Sequence, residues 1–105
     1  MNEAVRFLEE GGTLKAKLLS EIDHHAARSI REEIDAMLFR CRPDVLELDF
    51  SAVRFMDSSG IALIIGRAEL AANLGFDVKL TGLSGTLLRL IRLSGVEKLT
   101  NLTIQ

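Results

Sequence analysis

The spacing of apolar residues changes period repeatedly along this chain, and those changes constrain its fold more than any other feature. In some segments apolar and polar residues alternate, which predicts half-buried β-strands. In others apolar residues recur every three or four positions, which predicts amphipathic helices. The strand-like segments are residues 4–8, 13–19, 44–50, 76–82 and 98–104. The helix-like segments run from Asp23 to Cys41, from Asp57 to Gly75 and from Ser84 to Leu93.

The order of these elements, β-β-α-β-α-β-α-β, indicates how they are arranged. Glu9-Glu10-Gly11-Gly12 separates the first two strands, which predicts a hairpin. Each later strand is reached through a helix, and such crossovers are right-handed and join parallel strands. We therefore predict an α/β fold with helices packed against a central mixed, mostly parallel β-sheet. With 105 residues and no linker or repeat, residues 1–105 are expected to form a single domain.

Polar residues along the first helix also predict local contacts. Asp23 is placed to cap the start of this helix, because its side chain can accept an orphan backbone N–H. Arg28–Glu32 and Arg31–Asp35 have i,i+4 spacing, which predicts two surface ion pairs worth a few tenths of a kcal/mol each. The apolar positions of the helix are expected to face the core: Ala27, Ile30, Ile34, Met37 or Leu38, and Cys41.

Composition excludes several classes of protein. The formal net charge of −2, a pI near 5.7 and the lack of Trp and Tyr argue against a nucleic-acid-binding protein. The single cysteine, Cys41, cannot form an intramolecular disulfide, which fits a reducing compartment. The acidic N-terminus has no signal-peptide pattern, and the apolar run at 61–65 is far too short to cross a bilayer. We expect a soluble cytoplasmic protein without a membrane partner.

No pattern predicts a metal, a cofactor or a catalytic centre. His24 and His25 are adjacent, so on a helix their side chains point about 100° apart and cannot easily share one ion. No serine lies in a G-x-S-x-G sequence, and no phosphate-binding glycine motif is present. An esterase that uses Ser58 with one of the histidines is the weakest hypothesis that we keep.

Residues 57–60, D-S-S-G, put one carboxylate, two hydroxyls and a glycine at the predicted junction between a strand and a helix. One cap needs only one of these groups, and no Glu or Gln completes a capping box. A phosphate on a hydroxyl at this place would add a charge of roughly −1.5 to −2 next to the positive end of the helix dipole. These are the requirements of a phosphorylation switch.

The segment from Leu46 to Arg67, with the pattern L-x-L-D-F-S-x-V-x-F-M-D-S-S-G, resembles the signature of the anti-sigma factor antagonists, single-domain bacterial members of the STAS family. The sequence E-I-D-H-H at 21–25 resembles the E-L-D-H-H of the sporulation branch, and residues 90–96 are similar to the third helix of the family. The resemblance departs at the C-terminus, where the family continues into a further helix and this chain ends at Gln105.

This resemblance implies a STAS-like fold and a regulatory binding protein, not an enzyme. In the family, the serine that follows the aspartate is phosphorylated by an anti-sigma factor that is also a serine kinase and binds the ATP, which here points to Ser58. The unphosphorylated form binds this partner and releases the sigma factor, and a PP2C-type phosphatase restores it. The partner-binding site is then expected to contain Asp23, Asp57, Ser58, Ser59 and Gly60. Asp57 would shape the loop or orient the Ser58 hydroxyl. Ser59 would be the helix cap or a close-contact residue, and Gly60 would keep the approach to Ser58 open.

An alternative within the same family is a non-switching STAS subunit of a membrane transport complex, which works by binding alone. The intact D-S-S-G favours the switch, because a purely structural module does not need these hydroxyls.

Overall fold

The computed structural model describes residues 3–105, in which five strands and three α-helices follow the predicted order. The strands are β1 (Val5–Glu10), β2 (Thr13–Leu18), β3 (Val45–Asp49), β4 (Asp77–Thr81) and β5 (Leu102–Ile104). The helices are α1 (His24–Cys41), α2 (Ser58–Leu74) and α3 (Gly85–Ser94), and a short 3-10 helix spans Val96–Lys98.

The strands form one sheet in the order β1-β2-β3-β4-β5. β1 and β2 are antiparallel, whereas β2, β3, β4 and β5 are mutually parallel neighbours. The predicted mixed, mostly parallel sheet is therefore confirmed. The hairpin differs in one detail, since Glu9 and Glu10 belong to β1. Only Gly11 and Gly12 form the turn, and both have a positive φ, of 57° and 81°, as tight hairpin turns require.

One face of the sheet is buried against the helices, and the alternation of the strands sets which residues lie there. In β2 and β3 the buried apolar side chains are those that the alternation predicts: Leu14, Ala16, Leu18, Leu46 and Leu48. α1 adds Ile30, Ile34 and Leu38 to the same core. The opposite face is polar, and Lys15 Nζ lies 3.7 Å from carboxylate oxygens of both Glu47 and Asp49.

The apolar spacing of α2 predicts a buried stripe of Ile61, Ile64, Ile65, Ala68 and Ala72, and the buried side differs from it in part. Ile64 and Ala68 are buried as expected, but Ile61 and Ile65 are half-buried and Ala72 is exposed, with Ala71 buried in its place. α2 is apolar around much of its circumference, so its sequence does not single out one face. Packing against the sheet and α1 decides the orientation instead.

The end of the chain also differs from the prediction, because the last strand is only Leu102–Ile104. α3 ends at Gly95, as expected, and the chain then turns, with the Leu99 N–H donating to the Val96 carbonyl at 3.1 Å. Val96 is buried in this turn. The alternating apolar and polar residues at 98–101 predict a strand. Burial of the Val96 side chain instead favours the helical turn that begins at this residue.

Most of the predicted helix contacts are present. Asp23 caps α1 through a 2.8 Å hydrogen bond from the Ala26 N–H. Arg28 Nε lies 3.5 Å from Glu32 Oε1 as predicted. The predicted Arg31–Asp35 pair is wrong, because Asp35 instead pairs with an arginine of α2, described below. Within residues 3–105 no helix combines the length and the apolar character needed to cross a membrane.

Candidate functional site

The site begins where β3 ends. After Asp49 the chain makes a tight turn, in which the Val53 N–H donates to the Phe50 carbonyl at 2.9 Å. The Asp49 carboxylate accepts the Ser51 N–H at 2.9 Å. Gly82, with φ of 69°, lies so close to Ser51 and Asp49 that a Cβ would collide with them. The loop that leads to α2 therefore starts from a well-fixed turn.

A short backbone ladder joins this loop to the one that follows β2. Ile22 and Met56 form a parallel bridge. The Ile22 N–H donates to the Phe55 carbonyl at 3.0 Å, and the Asp57 N–H donates to the Ile22 carbonyl at 3.1 Å. Both bridged side chains are buried. The bridge places Asp23 and Asp57, the next residue of each segment, next to each other at the starts of α1 and α2.

Asp57 is the residue that caps α2. Its Oδ1 accepts the Ser59 N–H at 2.8 Å, and its carbonyl accepts the Gly60 N–H at 3.0 Å. Of the two roles expected for Ser59, cap or close-contact residue, the cap is wrong, because the extended backbone needed at a cap occurs at Asp57 (φ −95°, ψ −168°). Ser58 is already the first residue of the helix. Neither serine hydroxyl takes part in the cap.

The two serines lie in different surroundings. Ser58 is exposed, whereas Ser59 is half-buried. Ser59 also lines a groove between α1 and α2, together with His24. The more accessible hydroxyl for an approaching protein is therefore that of Ser58.

Gly60 has a packing role, and the expectation that it keeps the approach to the serine open is wrong. It is buried, and a Cβ at this position would overlap the Cγ and Sδ of Met56. The glycine therefore lets the first turn of α2 lie directly on the Met56 side chain. Gly60 therefore supports the site through packing and is not part of its exposed surface.

Phe55 is an exposed residue of the site that the sequence did not single out. Its side chain is 51% exposed, although the next residue, Met56, is buried. No local pattern distinguishes these two apolar residues, because pairing with Ile22 decides which one points inward. The phenyl ring adds apolar area close to Ser58, and aromatic residues are enriched where proteins bind each other.

The carboxylates of Asp23 and Asp57, which cap α1 and α2, make this surface acidic. The hydrogen bond from the Ala26 N–H lowers the pKa of Asp23, and this effect is larger than the opposing rise caused by desolvation. The nearby His25 lowers the pKa further. Asp23 is exposed and carries a negative charge at neutral pH. The neighbouring Glu21 is exposed as well. A partner that binds here meets carboxylates, a phenyl ring and a hydroxyl.

The two histidines and Cys41 are the remaining residues that the sequence singles out. His24 and His25 are exposed at the start of α1, with ring centroids 5.9 Å apart. Residues 3–105 contain no group of three His, Cys, Asp or Glu side chains that could hold a metal ion. Cys41 is half-buried against the core, and burial together with Glu9 raises the pKa of its thiol.

The fold and the candidate site together limit the class of protein. The fold is a mixed five-stranded sheet with helices on one side, and its candidate site is an open surface built from two loops and two helix starts. Such a surface suits the recognition of another protein better than the enclosure of a small substrate. Residues 5–104 match the model of the STAS domain, and the chain belongs to the STAS domain family.

Two relatives share much of this sequence. The chain is 29% identical to an anti-sigma F factor antagonist from Paenibacillus polymyxa, over 94% of this chain and 85% of that protein. It is 35% identical to an anti-sigma F factor antagonist from Lysinibacillus sphaericus, over 80% of this chain and 72% of that protein. The predicted family is thereby confirmed. Both relatives are antagonists, in agreement with the prediction that this chain is not an enzyme.

Solved structures show the same fold. The anti-sigma factor antagonist SpoIIAA in its unphosphorylated form superposes with a TM-score of 0.80 at 26% identity, over 97% of this chain and 88% of that chain. The phosphorylated form of SpoIIAA, a Bacillus cell fate determinant, superposes with a TM-score of 0.73 at 26% identity, over 97% of this chain and 91% of that chain. The predicted STAS-like architecture is confirmed.

Proposed function

We propose that this protein is an anti-sigma factor antagonist whose binding is switched by phosphorylation of Ser58. Its unphosphorylated form binds an anti-sigma factor and so releases the sigma factor. The anti-sigma factor is also the serine kinase and supplies the bound ATP, so this chain needs no cofactor. The names of the two relatives support the antagonist role. The existence of SpoIIAA in an unphosphorylated and a phosphorylated form supports the switch.

The observation that carries this proposal is the division of roles between Asp57 and Ser58. The Asp57 carboxylate caps α2, which leaves the hydroxyl of Ser58 without a structural task. Ser58 is exposed on the first turn of the helix. A kinase can therefore reach this hydroxyl without unfolding the loop, and the fold does not depend on keeping it free.

Phosphorylation would change the charge of the binding surface more than its shape. The phosphate adds roughly −1.5 to −2 charges to a surface that already carries Asp23 and the Asp57 carboxylate. The Ser59 N–H is bound to Asp57 at 2.8 Å, so the phosphate cannot use it without displacing the cap. Because Ser58 is exposed, the phosphate interferes with partner contacts around this residue.

The switch also requires removal of the phosphate from Ser58. A PP2C-type phosphatase would restore the binding-competent form, because an exposed phosphoester at Ser58 is accessible to it. The likeness of E-I-D-H-H at 21–25 to the sporulation branch, together with relatives that antagonise anti-sigma F factors, favours a role in sporulation. With partners of this kind, we propose that residues 1–105 act as a single domain in the cytoplasm.

The test uses the purified cognate anti-sigma factor kinase and ATP, with the phosphate located by mass spectrometry. We expect labelling of the wild type and of Ser59→Ala, and none of Ser58→Ala. The unlabelled protein should bind the kinase and the labelled protein should not. Labelling confined to Ser59, or no labelling, would falsify the assignment. Binding to a transporter ATPase, with no affinity for a kinase, would support a non-switching subunit instead.

A further inference from the structure

A groove between α1 and α2 opens directly beside Ser59 and has a different charge from the rest of the site. Its volume is about 410 Å³. α1 contributes His24, Arg28 and Arg31 to its walls. These positions are spaced by four and three residues, so they lie on one face of the helix. α2 contributes Ser59, Ala62 and Leu63 on the other side.

The arginines of this groove are available for an external partner. Arg31 does not pair with Asp35, because the Asp35 carboxylate is held by Arg67 at 2.6 Å. Within the described part of the chain Arg31 has no carboxylate within ion-pair distance. Arg28 lies 3.5 Å from Glu32, but both side chains are largely exposed and such a pair is weak. No Asp or Glu lines the groove itself.

The groove is therefore a local excess of positive charge on a chain whose formal net charge is −2. Guanidinium groups favour carboxylates and phosphates, which they bind through paired hydrogen bonds. The lining of the groove also includes three apolar residues, the buried Leu63 and the small Ala27 and Ala62. A phosphate alone would leave this apolar surface uncovered, whereas a peptide segment with acidic and apolar side chains fits both parts.

We propose that this groove receives an acidic segment of the anti-sigma factor kinase, with its carboxylates on Arg28 and Arg31. The inference rests on the proposed function and adds a second contact area to it. Because Ser59 belongs to the groove, the bound segment lies next to Ser58. A phosphate on Ser58 then repels the acidic segment and also offers the arginines a competing anion. Charge repulsion at the groove would thus help phosphorylation to release the partner.

The test measures binding of the purified cognate kinase by calorimetry in about 0.1 M salt. We expect the double variant Arg28→Glu/Arg31→Glu to bind at least about tenfold more weakly than the wild type, with a smaller dependence on salt. Arg89→Glu/Arg92→Glu makes the same charge change on the exposed surface of α3 and should retain nearly full affinity. Urea unfolding of both variants shows whether each remains folded.

The outcomes separate this inference from the proposed function. If the groove variant binds the kinase with wild-type affinity while Ser58 is still labelled, the groove assignment is wrong and the proposed function stands. If the wild type neither binds the kinase nor becomes labelled, the proposed function itself fails. If the groove variant changes only the stability of the phosphorylated protein, the groove holds the phosphate, and the acidic segment is overturned.

Discussion

Arg67 of α2 and Asp35 of α1 form an ion pair, with 2.6 Å between Nη1 and Oδ1, that joins the two helices. The Arg67 side chain is 9% exposed, and its Nε has no hydrogen-bond partner among residues 3–105. Burial lowers the pKa of Arg67, and the charge of Asp35 opposes that effect. A buried guanidinium with one counter-charge depends strongly on that counter-charge.

Removal of the Asp35 side chain should therefore destabilise the protein more than the loss of a partly exposed carboxylate normally does. We expect Asp35→Ala to lower the free energy of unfolding by about 2–3 kcal/mol, because Arg67 is left buried and unpaired. Glu32→Ala removes the exposed partner of Arg28 on the same helix and should cost no more than about 0.5 kcal/mol. Urea unfolding of the two variants makes the comparison. Equal losses would show that the Arg67 pair contributes no more than a surface pair.

Two glycines of α2 should respond in opposite ways to the same substitution. Gly60→Ala forces a methyl group into the buried Met56 side chain and should cost about 1–3 kcal/mol. Gly66→Ala meets nothing within 4 Å and should stabilise the protein by about 0.5–1 kcal/mol. Denaturant unfolding measures both effects. In Gly60→Ala/Met56→Ala the combined loss should be smaller than the sum of the single losses. A neutral Gly60→Ala would contradict the close packing.

Asp49 should make stability depend on pH in the acid range. Burial raises its pKa, but hydrogen bonds from Ser51 and the charges of Lys15 and Lys17 outweigh this and hold the pKa below the ordinary value of 3.8. A lowered pKa means that the unfolded chain takes up the proton first. The stabilisation is therefore present above the ordinary pKa and is lost as the pH falls through the lower, folded-state value.

The variant Asp49→Asn should lose about 1 kcal/mol at pH 7 and show a shallower loss of stability as the pH falls below the ordinary pKa of 3.8. Asp77→Asn removes an exposed carboxylate at the start of β4 and serves as the charge-matched control. Thermal unfolding over this pH range checks the difference. An acid dependence of Asp49→Asn equal to that of the wild type would contradict the role of Asp49.

The sequence predicts best those features that one segment determines by itself. In β2 the alternation of Leu14, Ala16 and Leu18 is required by a sheet with a single buried face, so it identifies the buried side directly. Asp23 was predicted as a cap and Ser84 caps α3 in the same way, since each side chain accepts an N–H three residues ahead in its own helix. The D-S-S-G motif lies at the start of α2, where the sequence predicts a helix to begin.

Features that depend on contacts between two distant segments could not be predicted from the spacing within either segment. Asp35 has Arg31 at the favoured spacing, yet it pairs with Arg67, which is 32 residues away and whose buried charge needs the carboxylate more. The glycine of the motif is required by Met56, a contact that spacing cannot show. The exposure of Phe55 follows from the bridge between Met56 and Ile22. Each of these outcomes depends on packing between distant parts of the chain.

Phosphorylation of Ser58 should abolish partner binding and leave the fold nearly unchanged. Ser58 is exposed at the first position of α2, where the helix dipole favours negative charge by about 0.3–1 kcal/mol. Repulsion from the Asp57 carboxylate acts in the opposite direction, so we expect the free energy of unfolding to change by less than about 1 kcal/mol. Urea unfolding and calorimetric binding to the kinase, measured on the same phosphorylated sample, separate the two effects.

The control for this prediction is Ser58→Ala treated with kinase and ATP, which should keep its affinity and its stability. A loss of several kcal/mol on phosphorylation would mean that the phosphate acts by disrupting α2, and the switch would then be conformational. Unchanged stability with lost binding supports a switch that works through charge at the surface. The cap geometry favours this second result, because Asp57 holds the start of α2 without help from the Ser58 hydroxyl.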